Sequence, residues 1–199
     1  MTVAVAGPGG RLGKWLVDHH DCVPLLCDVL DIESIQQALE ITKPQAIINC
    51  AAFTMVDAAE EDRFHDLALK VNLRGPANLR QSFMGFFVQI STGFVFNGEK
   101  GPYKEKAVRE PVNWYGWTKL GGEDAAMVWE PTLIVRTLDL YGHQVKPDFV
   151  RAIRDVLELG AEKALPDTLY KTPTYIPHLA EGIMAAVGQG LTGRLHIAG

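Results

Sequence analysis

Tyr115 and Lys119 form the pair of side chains in this sequence whose types and spacing best suit acid–base chemistry. They stand four residues apart, so on a helix both project from the same face. A free phenol loses its proton at a pH of about 10, and a nearby ammonium favours the ionised form, so we expect Lys119 to lower the pKa of Tyr115. Such a phenol can exchange a proton with a substrate oxygen. The spacing alone is weak evidence, because an aromatic residue and a cation also stand four apart on ordinary exposed helices.

A hydroxyl pair, Ser91 and Thr92, follows the apolar run that predicts a buried strand over Phe86–Ser91. Ligands bind at the carboxyl ends of parallel strands, so Thr92 is placed to bond a reacting carbonyl group. A turn in which the hydroxyls only bond the backbone is the alternative. The small residues at 50–52 lie at the end of another predicted strand, Ala46–Cys50, and they indicate either a surface on which a flat cofactor lies or close helix–sheet packing.

A glycine turn, residues 7–13, follows the first predicted strand directly and opens a helix. Gly7, Gly10 and Gly13 have Gly-x-x-Gly-x-x-Gly spacing, and glycines let backbone amides approach a pyrophosphate. A Walker loop is excluded, because Lys14 is followed by Trp15. The turn therefore predicts a dinucleotide site, although glycines that only ease strand–helix packing give the same pattern.

Two residues bear on the choice between NAD and NADP, and they point in opposite directions. Asp28 lies 21 residues after Gly7, where an acid binds ribose hydroxyls in NAD enzymes, but it also lies at the start of the next helix. Arg11, inside the glycine turn, could instead meet a 2′-phosphate. We expect NADP or NAD, with a weak preference for NADP.

The elements that must position these residues alternate between apolar strands and amphipathic helices. Asp31 is placed to cap the second helix, and we expect a break at Gly75-Pro76. Buried strands separated by helices predict an α/β fold with a doubly wound parallel sheet, Rossmann-type. We expect an NAD(P)-binding domain over residues 1–142. A small, shortened C-terminal substrate lobe is expected over 143–199, where segments are broken by prolines, namely Pro147, Pro166, Pro173 and Pro177.

Composition excludes several classes of function. The chain has 199 residues, 47% of them hydrophobic, and a formal net charge of −5. This charge is unsuited to nucleic acid, and no apolar run approaches the roughly 20 residues that span a bilayer. The three cysteines lack metal-site spacing, so we expect reduced thiols, no metal site and a cytoplasmic location.

Several motifs in order along the chain resemble the dTDP-4-dehydrorhamnose reductase family, extended short-chain dehydrogenases/reductases. The motifs are the glycine turn, residues 49–57, Val71-Asn72, residues 91–98, Tyr115-x-x-x-Lys119, residues 136–142, residues 173–180 and the closing 195–199. The likeness implies that NAD(P)H delivers hydride to a nucleotide-linked 4-keto-6-deoxy sugar, with Thr92, Tyr115 and Lys119 as catalytic residues. It also implies these cofactor-lining residues: Gly7, Gly10, Arg11, Leu12, Asp28, Val29, Ala51, Ala52, Phe53, Asn72, Tyr115 and Lys119.

The sequence departs from this family at three places. Gly93-Phe94 stand where the family usually has Asp-Tyr, and Asp139 stands where it commonly has a tryptophan thought to pack on the sugar. Family members also continue beyond the equivalent of Gly199, with a segment that helps complete the sugar pocket. Two alternatives therefore stay open: a non-catalytic NAD(P)-binding regulatory subunit, or a related enzyme such as a nucleotide-sugar epimerase. A homodimer and a partner subunit are both compatible with the sequence.

Overall fold

Strands and helices alternate along the part of the chain that the computed structural model describes, residues 1–142, 148–160, 162 and 171–199. The strands are β1 Val3–Ala6, β2 Cys22–Leu25, β3 Ala46–Asn49, β4 Phe86–Thr92, β5 Thr132–Thr137, β6 Leu140–Tyr141, β7 Thr174–Tyr175 and β8 Gly193–His196. The helices are α1 Arg11–His19, α2 Ile32–Thr42, α3 Asp62–Leu69, α4 Gly75–Ser82, α5 Trp114–Ala126, α6 Phe149–Glu158 and α7 Ile176–Gly188.

Six strands form one sheet in the order β2-β1-β3-β4-β5-β8, and every neighbouring pair is parallel. The predicted parallel α/β fold is therefore confirmed. Strand β2 pairs with one edge of β1, and β3 pairs with the opposite edge of β1. The crevice between the carboxyl ends of β1 and β3 is thus the switch point at which such sheets bind ligands.

Helices cover both faces of this sheet, and alternate strand residues serve the two sides. Val3 and Val5 pack with α1 and α7, whereas Ala4 and Ala6 pack with α2 and α4. All four residues of β1 are buried, as expected for a strand covered on both faces. The sheet is therefore a fixed base from which strand ends present their side chains.

The segment between α3 and α4 differs from the sequence prediction. We expected a break at Gly75-Pro76, but α3 continues through a π-helical stretch, Lys70–Arg74, directly into α4. Proline has no backbone N–H to donate, and Pro76 lies directly after the π-helical stretch, where the Gly75 amide bonds the Lys70 carbonyl and the ordinary α-helical bonding pattern is already interrupted. The wider π turn carries Asn72 inward, where its side chain is 1% exposed.

The later part of the chain returns to the main sheet. Helix α7 packs in the same apolar cluster as α1, and β8 pairs with β5. Strands β6 and β7 form a separate two-stranded sheet. Pro147 and Pro166, which we expected to break segments, lie outside the described residues. Within the described ranges, no helix is both long enough and apolar enough to cross a membrane.

Candidate active site

The glycine turn lies at the crevice between β1 and β3. Gly7 has φ +72°, and a Cβ there would lie 2.6 Å from the amide nitrogen of Ala51. Gly13 is equally constrained, because its Cβ would overlap the carbonyl oxygen of Gly7. Gly10 differs: it caps α1 without a side-chain bond, and its Cβ would meet only that same oxygen at 3.4 Å. Gly7 and Gly13 therefore serve packing within the turn, while the turn is open at Gly10.

The other side of the crevice is the loop after β3, which Asn72 holds in place. Asn72 Oδ1 accepts from the Phe53 amide at 2.9 Å, and its Nδ2 donates to the Phe53 carbonyl at 3.0 Å. The same Nδ2 donates to Thr118 on α5 at 3.0 Å. Ala51 and Ala52, which precede Phe53, are partly exposed. The amide of Asn72 is thus used by protein partners, and it fixes the loop that presents the two alanines.

Thr92 and Tyr115 meet at the carboxyl end of β4. The Thr92 hydroxyl forms a hydrogen bond with the Tyr115 phenol and accepts the Phe94 amide at 3.2 Å. Helix α5 begins just before Tyr115 because the side chain of Asn113 accepts the Gly116 amide at 2.7 Å. One turn later, Lys119 Nζ donates to the carbonyl oxygen of Ile90 at 2.7 Å. The three predicted catalytic side chains therefore converge where β4 meets α5.

Burial sets the proton affinity of the phenol and contradicts one prediction from the sequence. We expected Lys119 to lower the pKa of Tyr115, but burial raises it to about 12, against a smaller lowering by the Thr92 hydrogen bond. The Lys119 ammonium is directed instead to the backbone carbonyl of Ile90. The phenol is therefore protonated at neutral pH, which is the state required of a proton donor.

Burial also lowers the pKa of Lys119, to about 8, although Glu123 opposes the shift. Between this value and the ordinary 10.5, the folded amine is neutral while the unfolded one is charged. Stability therefore rises with pH across that window, and at pH 7 the full burial cost of the charge is present.

Replacing Lys119 by Met should consequently stabilise the protein at neutral pH. We expect Lys119→Met to raise the free energy of unfolding at pH 7 by up to about 3 kcal/mol, with the gain shrinking as pH rises from 8 towards 10.5. Urea unfolding at several pH values measures it. Lys70→Met, which removes an exposed lysine paired with Asp66, is the control and should show no such pH-dependent gain. A loss of stability in Lys119→Met at pH 7 would contradict the conclusion that burying the charge of Lys119 destabilises the folded protein.

A buried ionic network next to the site was not predicted from the sequence. Glu123, one turn after Lys119 and fully buried, accepts two hydrogen bonds from Arg136, each 2.7 Å long, and one from Ser91 at 2.6 Å. Arg109 adds a contact at 3.3 Å. The four-residue spacing of Tyr115, Lys119 and Glu123 was the available signal. The network fixes the inner face of α5 to β4 and β5.

The remaining residues that were predicted to line the cofactor differ in their burial and in their hydrogen bonds. Arg11 Nη1, from the side chain that we expected to meet a 2′-phosphate, donates to the Leu140 carbonyl at 2.8 Å. The exposed Asp28 accepts the Leu30 amide at 2.9 Å in a local turn at the end of β2. The side chains of Leu12 and Val29 are buried in the two apolar clusters.

At two positions where the sequence departs from the family, 93 and 139, the structure shows close contacts with other side chains. A Cβ on Gly93 would lie 2.6 Å from Cδ1 of Leu138, so the leucine occupies the space that a longer residue would need. Asp139 has φ 42°, and its carboxylate pairs with Lys171 at 3.1 Å. Leu138 thus fills the space beside position 93, and Lys171 pairs with the residue at position 139.

The cysteines and the side chains able to bind metals are the remaining reactive groups of the described residues. The three cysteines are free thiols, and the pKa of Cys50 is raised to about 12 by burial. No group of His, Cys, Asp or Glu within the described ranges is arranged to hold a metal ion.

Comparison with known proteins places this geometry in a family. The family model described as RmlD substrate binding domain matches residues 1–199 of this chain. A dTDP-4-dehydrorhamnose reductase of Mycolicibacterium smegmatis is 32% identical over 214 residues, covering 100% of this chain and 64% of the relative. One of Streptomyces griseus is 35% identical over 205 residues, covering 95% of this chain and 66% of the relative. This chain therefore spans slightly less than two thirds of the length of both relatives.

Solved structures of dTDP-4-dehydrorhamnose reductases are also similar to this chain. A dTDP-4-dehydrorhamnose reductase of Clostridium acetobutylicum superposes with a TM-score of 0.89 at 32% identity, covering 100% of this chain and 74% of that one. One of Bacillus anthracis, solved in complex with NADP, gives 0.87 at 29% identity, covering 100% and 75%. Since the family model matches every residue, this chain belongs to the RmlD substrate binding domain family, as its motifs' resemblance to the dTDP-4-dehydrorhamnose reductases predicts.

Proposed function

We propose that this chain uses NAD(P)H to reduce the keto group of a nucleotide-linked 4-keto-6-deoxy sugar, with Tyr115 as the proton donor. The observation that carries the proposal is the hydrogen-bonded pair of Thr92 and Tyr115, with Lys119 one turn away, at the sheet edge that also holds the glycine turn. The relatives named as dTDP-4-dehydrorhamnose reductases support the same reaction.

The glycine turn fits a dinucleotide phosphate. A Cβ on Gly9 would meet nothing within 4 Å, so the turn has open space there. Gly10, the N-cap of α1, provides no side-chain cap, and the first-turn amides of α1 are therefore suited to an anion. Ala51 and Ala52 present small side chains across the crevice, where a flat ring can approach the backbone. A bound NAD(P)H would supply the hydride.

The protein's own groups supply the proton and the orientation. With its pKa raised to about 12, the Tyr115 phenol carries a proton at neutral pH and can give it to the sugar oxygen as that oxygen gains charge. The Thr92 hydroxyl, bonded to the phenol, is placed to hold the same oxygen. Lys119 lies buried beside them and can donate to a ribose hydroxyl as well as to the Ile90 carbonyl.

The cofactor is NADP or NAD, and the weak preference for NADP stays a prediction. Arg11 donates one hydrogen bond to the Leu140 carbonyl, and a guanidinium has further N–H groups that can meet a 2′-phosphate. The Bacillus anthracis relative bound to NADP supports NADP on separate grounds. Comparing the affinity of the purified protein for NADH and NADPH decides between them.

Changing Gly10 to Ala separates cofactor binding from folding. Gly10 has φ −76°, which alanine adopts readily, and the added Cβ meets only one atom at ordinary contact distance. We expect Gly10→Ala to change the free energy of unfolding by less than about 1 kcal/mol yet weaken NAD(P)H binding by about tenfold or more, since the methyl group blocks the phosphate's approach.

Fluorescence titration with NADPH and NADH measures the effect of this change. Gly188→Ala is the control, since a Cβ at Gly188 meets nothing within 4 Å and this glycine lies at the end of α7. Equal cofactor affinity in Gly10→Ala and wild type would remove the glycine turn from the binding site.

The reaction itself is tested by following NADPH and NADH oxidation after addition of a dTDP-4-keto-6-deoxyhexose. Cofactor oxidation with formation of the reduced sugar supports the proposal. Tight dinucleotide binding without turnover of any keto sugar would favour the regulatory subunit instead. Interconversion of a non-keto nucleotide sugar would favour an epimerase.

Three further expectations belong to this proposal. The division of the chain into a cofactor domain, residues 1–142, and a substrate lobe, residues 143–199, stays a prediction, as does a cytoplasmic location. The oligomeric state, a homodimer or a complex with a partner subunit, also stays a prediction, and light scattering of the purified protein measures it.

A further inference from the structure

Thr137, the last residue of β5, has a buried hydroxyl without a hydrogen-bond partner. Its side chain is 6% exposed, and Oγ1 is one of three buried side-chain polar atoms without a partner among the described residues. The other two belong to guanidinium groups, of Arg80 and Arg194. An unsatisfied buried hydroxyl costs about 1–3 kcal/mol, so a native structure that keeps one calls for a reason.

This hydroxyl lies next to the proposed reaction centre. Thr137 is the register partner of Thr92 on the neighbouring parallel strand, and such strands lie roughly 4.8 Å apart. Paired residues of adjacent parallel strands project to the same side of the sheet, so the two threonine side chains are neighbours. Thr92 already bonds Tyr115 and the Phe94 amide. Thr137 therefore adds a second, buried hydroxyl beside it, at the same sheet edge.

The order of strands at this edge indicates which ligand group it meets. The glycine turn follows β1, Ala51 and Ala52 follow β3, and Lys119 donates to the Ile90 carbonyl of β4. In NAD(P)H the nicotinamide is joined directly to its ribose. If Lys119 holds that ribose, the ring is the part of the dinucleotide that comes next towards β5. Its carboxamide both donates and accepts hydrogen bonds, as does a threonine hydroxyl.

We propose that the Thr137 hydroxyl binds the nicotinamide carboxamide of NAD(P)H and so fixes the orientation of the ring beside Thr92 and Tyr115. The inference rests on the proposed reductase function. Thr137 is in this view a positioning residue for the cofactor, while Thr92 and Tyr115 serve the sugar oxygen.

The test compares Thr137→Val, which keeps the shape but removes the hydroxyl, with Thr137→Ser, which keeps the hydroxyl. Affinities are measured calorimetrically for NADPH and NADH and for the matching fragments without nicotinamide, 2′-phospho-ADP-ribose and ADP-ribose. We expect Thr137→Val to weaken dinucleotide binding about 3- to 10-fold, to leave fragment binding unchanged and to melt no lower than wild type. Thr137→Ser should bind the dinucleotide as wild type does.

The outcomes separate this inference from the proposed function. Unchanged dinucleotide binding in Thr137→Val overturns it, as does equal weakening for dinucleotide and fragment, which indicates a structural role. A raised KM for the sugar at unchanged cofactor affinity also overturns it, because the hydroxyl then meets the sugar. A wild-type protein that binds neither dinucleotide nor fragment refutes the proposed function itself.

Discussion

Tyr115→Phe should lower turnover of the keto sugar by about two to four orders of magnitude while leaving NAD(P)H affinity within about twofold of wild type. Tyr115 is 7% exposed and packs in the apolar cluster with Phe53, so phenylalanine fits the same space. The change removes only the hydroxyl, whose protonated state is maintained by burial. Turnover therefore falls because the sugar oxygen loses its proton donor.

Steady-state kinetics at saturating cofactor and a separate binding titration measure the two quantities. Tyr103→Phe is the matched control, because it removes a tyrosine hydroxyl that bonds Asn97 outside the site, and its turnover should equal that of wild type. Turnover of Tyr115→Phe within threefold of wild type would exclude Tyr115 as the proton donor.

Glu123→Ala should reduce the free energy of unfolding by about 3–5 kcal/mol, the largest stability effect expected of a single change here. Glu123 is fully buried, and its carboxylate faces Arg136, which is 2% exposed. Removing the carboxylate leaves this guanidinium without its ionic partner in a site that water hardly reaches. Hydrogen bonds from Ser91 and Arg109 are lost with it.

Denaturant unfolding measures this loss, and two variants control it. Asp124→Ala removes the neighbouring carboxylate, which is half-exposed and pairs only with Arg109 among the described ion pairs; it should lose less than about 1 kcal/mol. The double variant Glu123→Met/Arg136→Met should be more stable than Glu123→Ala, since it removes both charges. A loss below about 1 kcal/mol in Glu123→Ala would refute the importance of the pair.

The same pair gives a pH dependence with a defined sign. Hydrogen bonds and charge attraction from Arg136 lower the pKa of Glu123 below its ordinary 4.5, despite burial. Its contribution to stability is therefore complete above pH 4.5 and is lost as pH falls through the lowered value. Wild type should lose more stability on acidification than Glu123→Ala does.

The parallel sheet could be predicted from the sequence because each strand is a short apolar run with a helix after it. The expected cap at Asp31 is confirmed, since its carboxylate accepts the Glu33 amide at 2.9 Å. The predicted strand Ala46–Cys50 ends one residue earlier, at Asn49. Hydrophobic periodicity locates elements well but not their last residues, which depend on individual hydrogen bonds.

The candidate site was predictable as a set of residues but not as an electrostatic environment. Glycine spacing and the Tyr115–Lys119 spacing are local features that a sequence displays directly. The depth of burial that raises the pKa of Tyr115 is a property of the packed fold. The bonds of Glu123 to Arg136 and Ser91 also join residues distant in sequence, and no local pattern specifies them.

The contact between Gly93 and Leu138 couples the more common family residue at position 93 to the residue at position 138. A side chain there would collide with Leu138, whose Cδ1 and Cγ lie 2.6 and 2.9 Å from the position of a new Cβ. Gly93→Asp therefore requires the Leu138 side chain to move, and a smaller residue at position 138 removes that requirement. The effect of a change at either position should consequently depend on the residue at the other, so the two sites are epistatic.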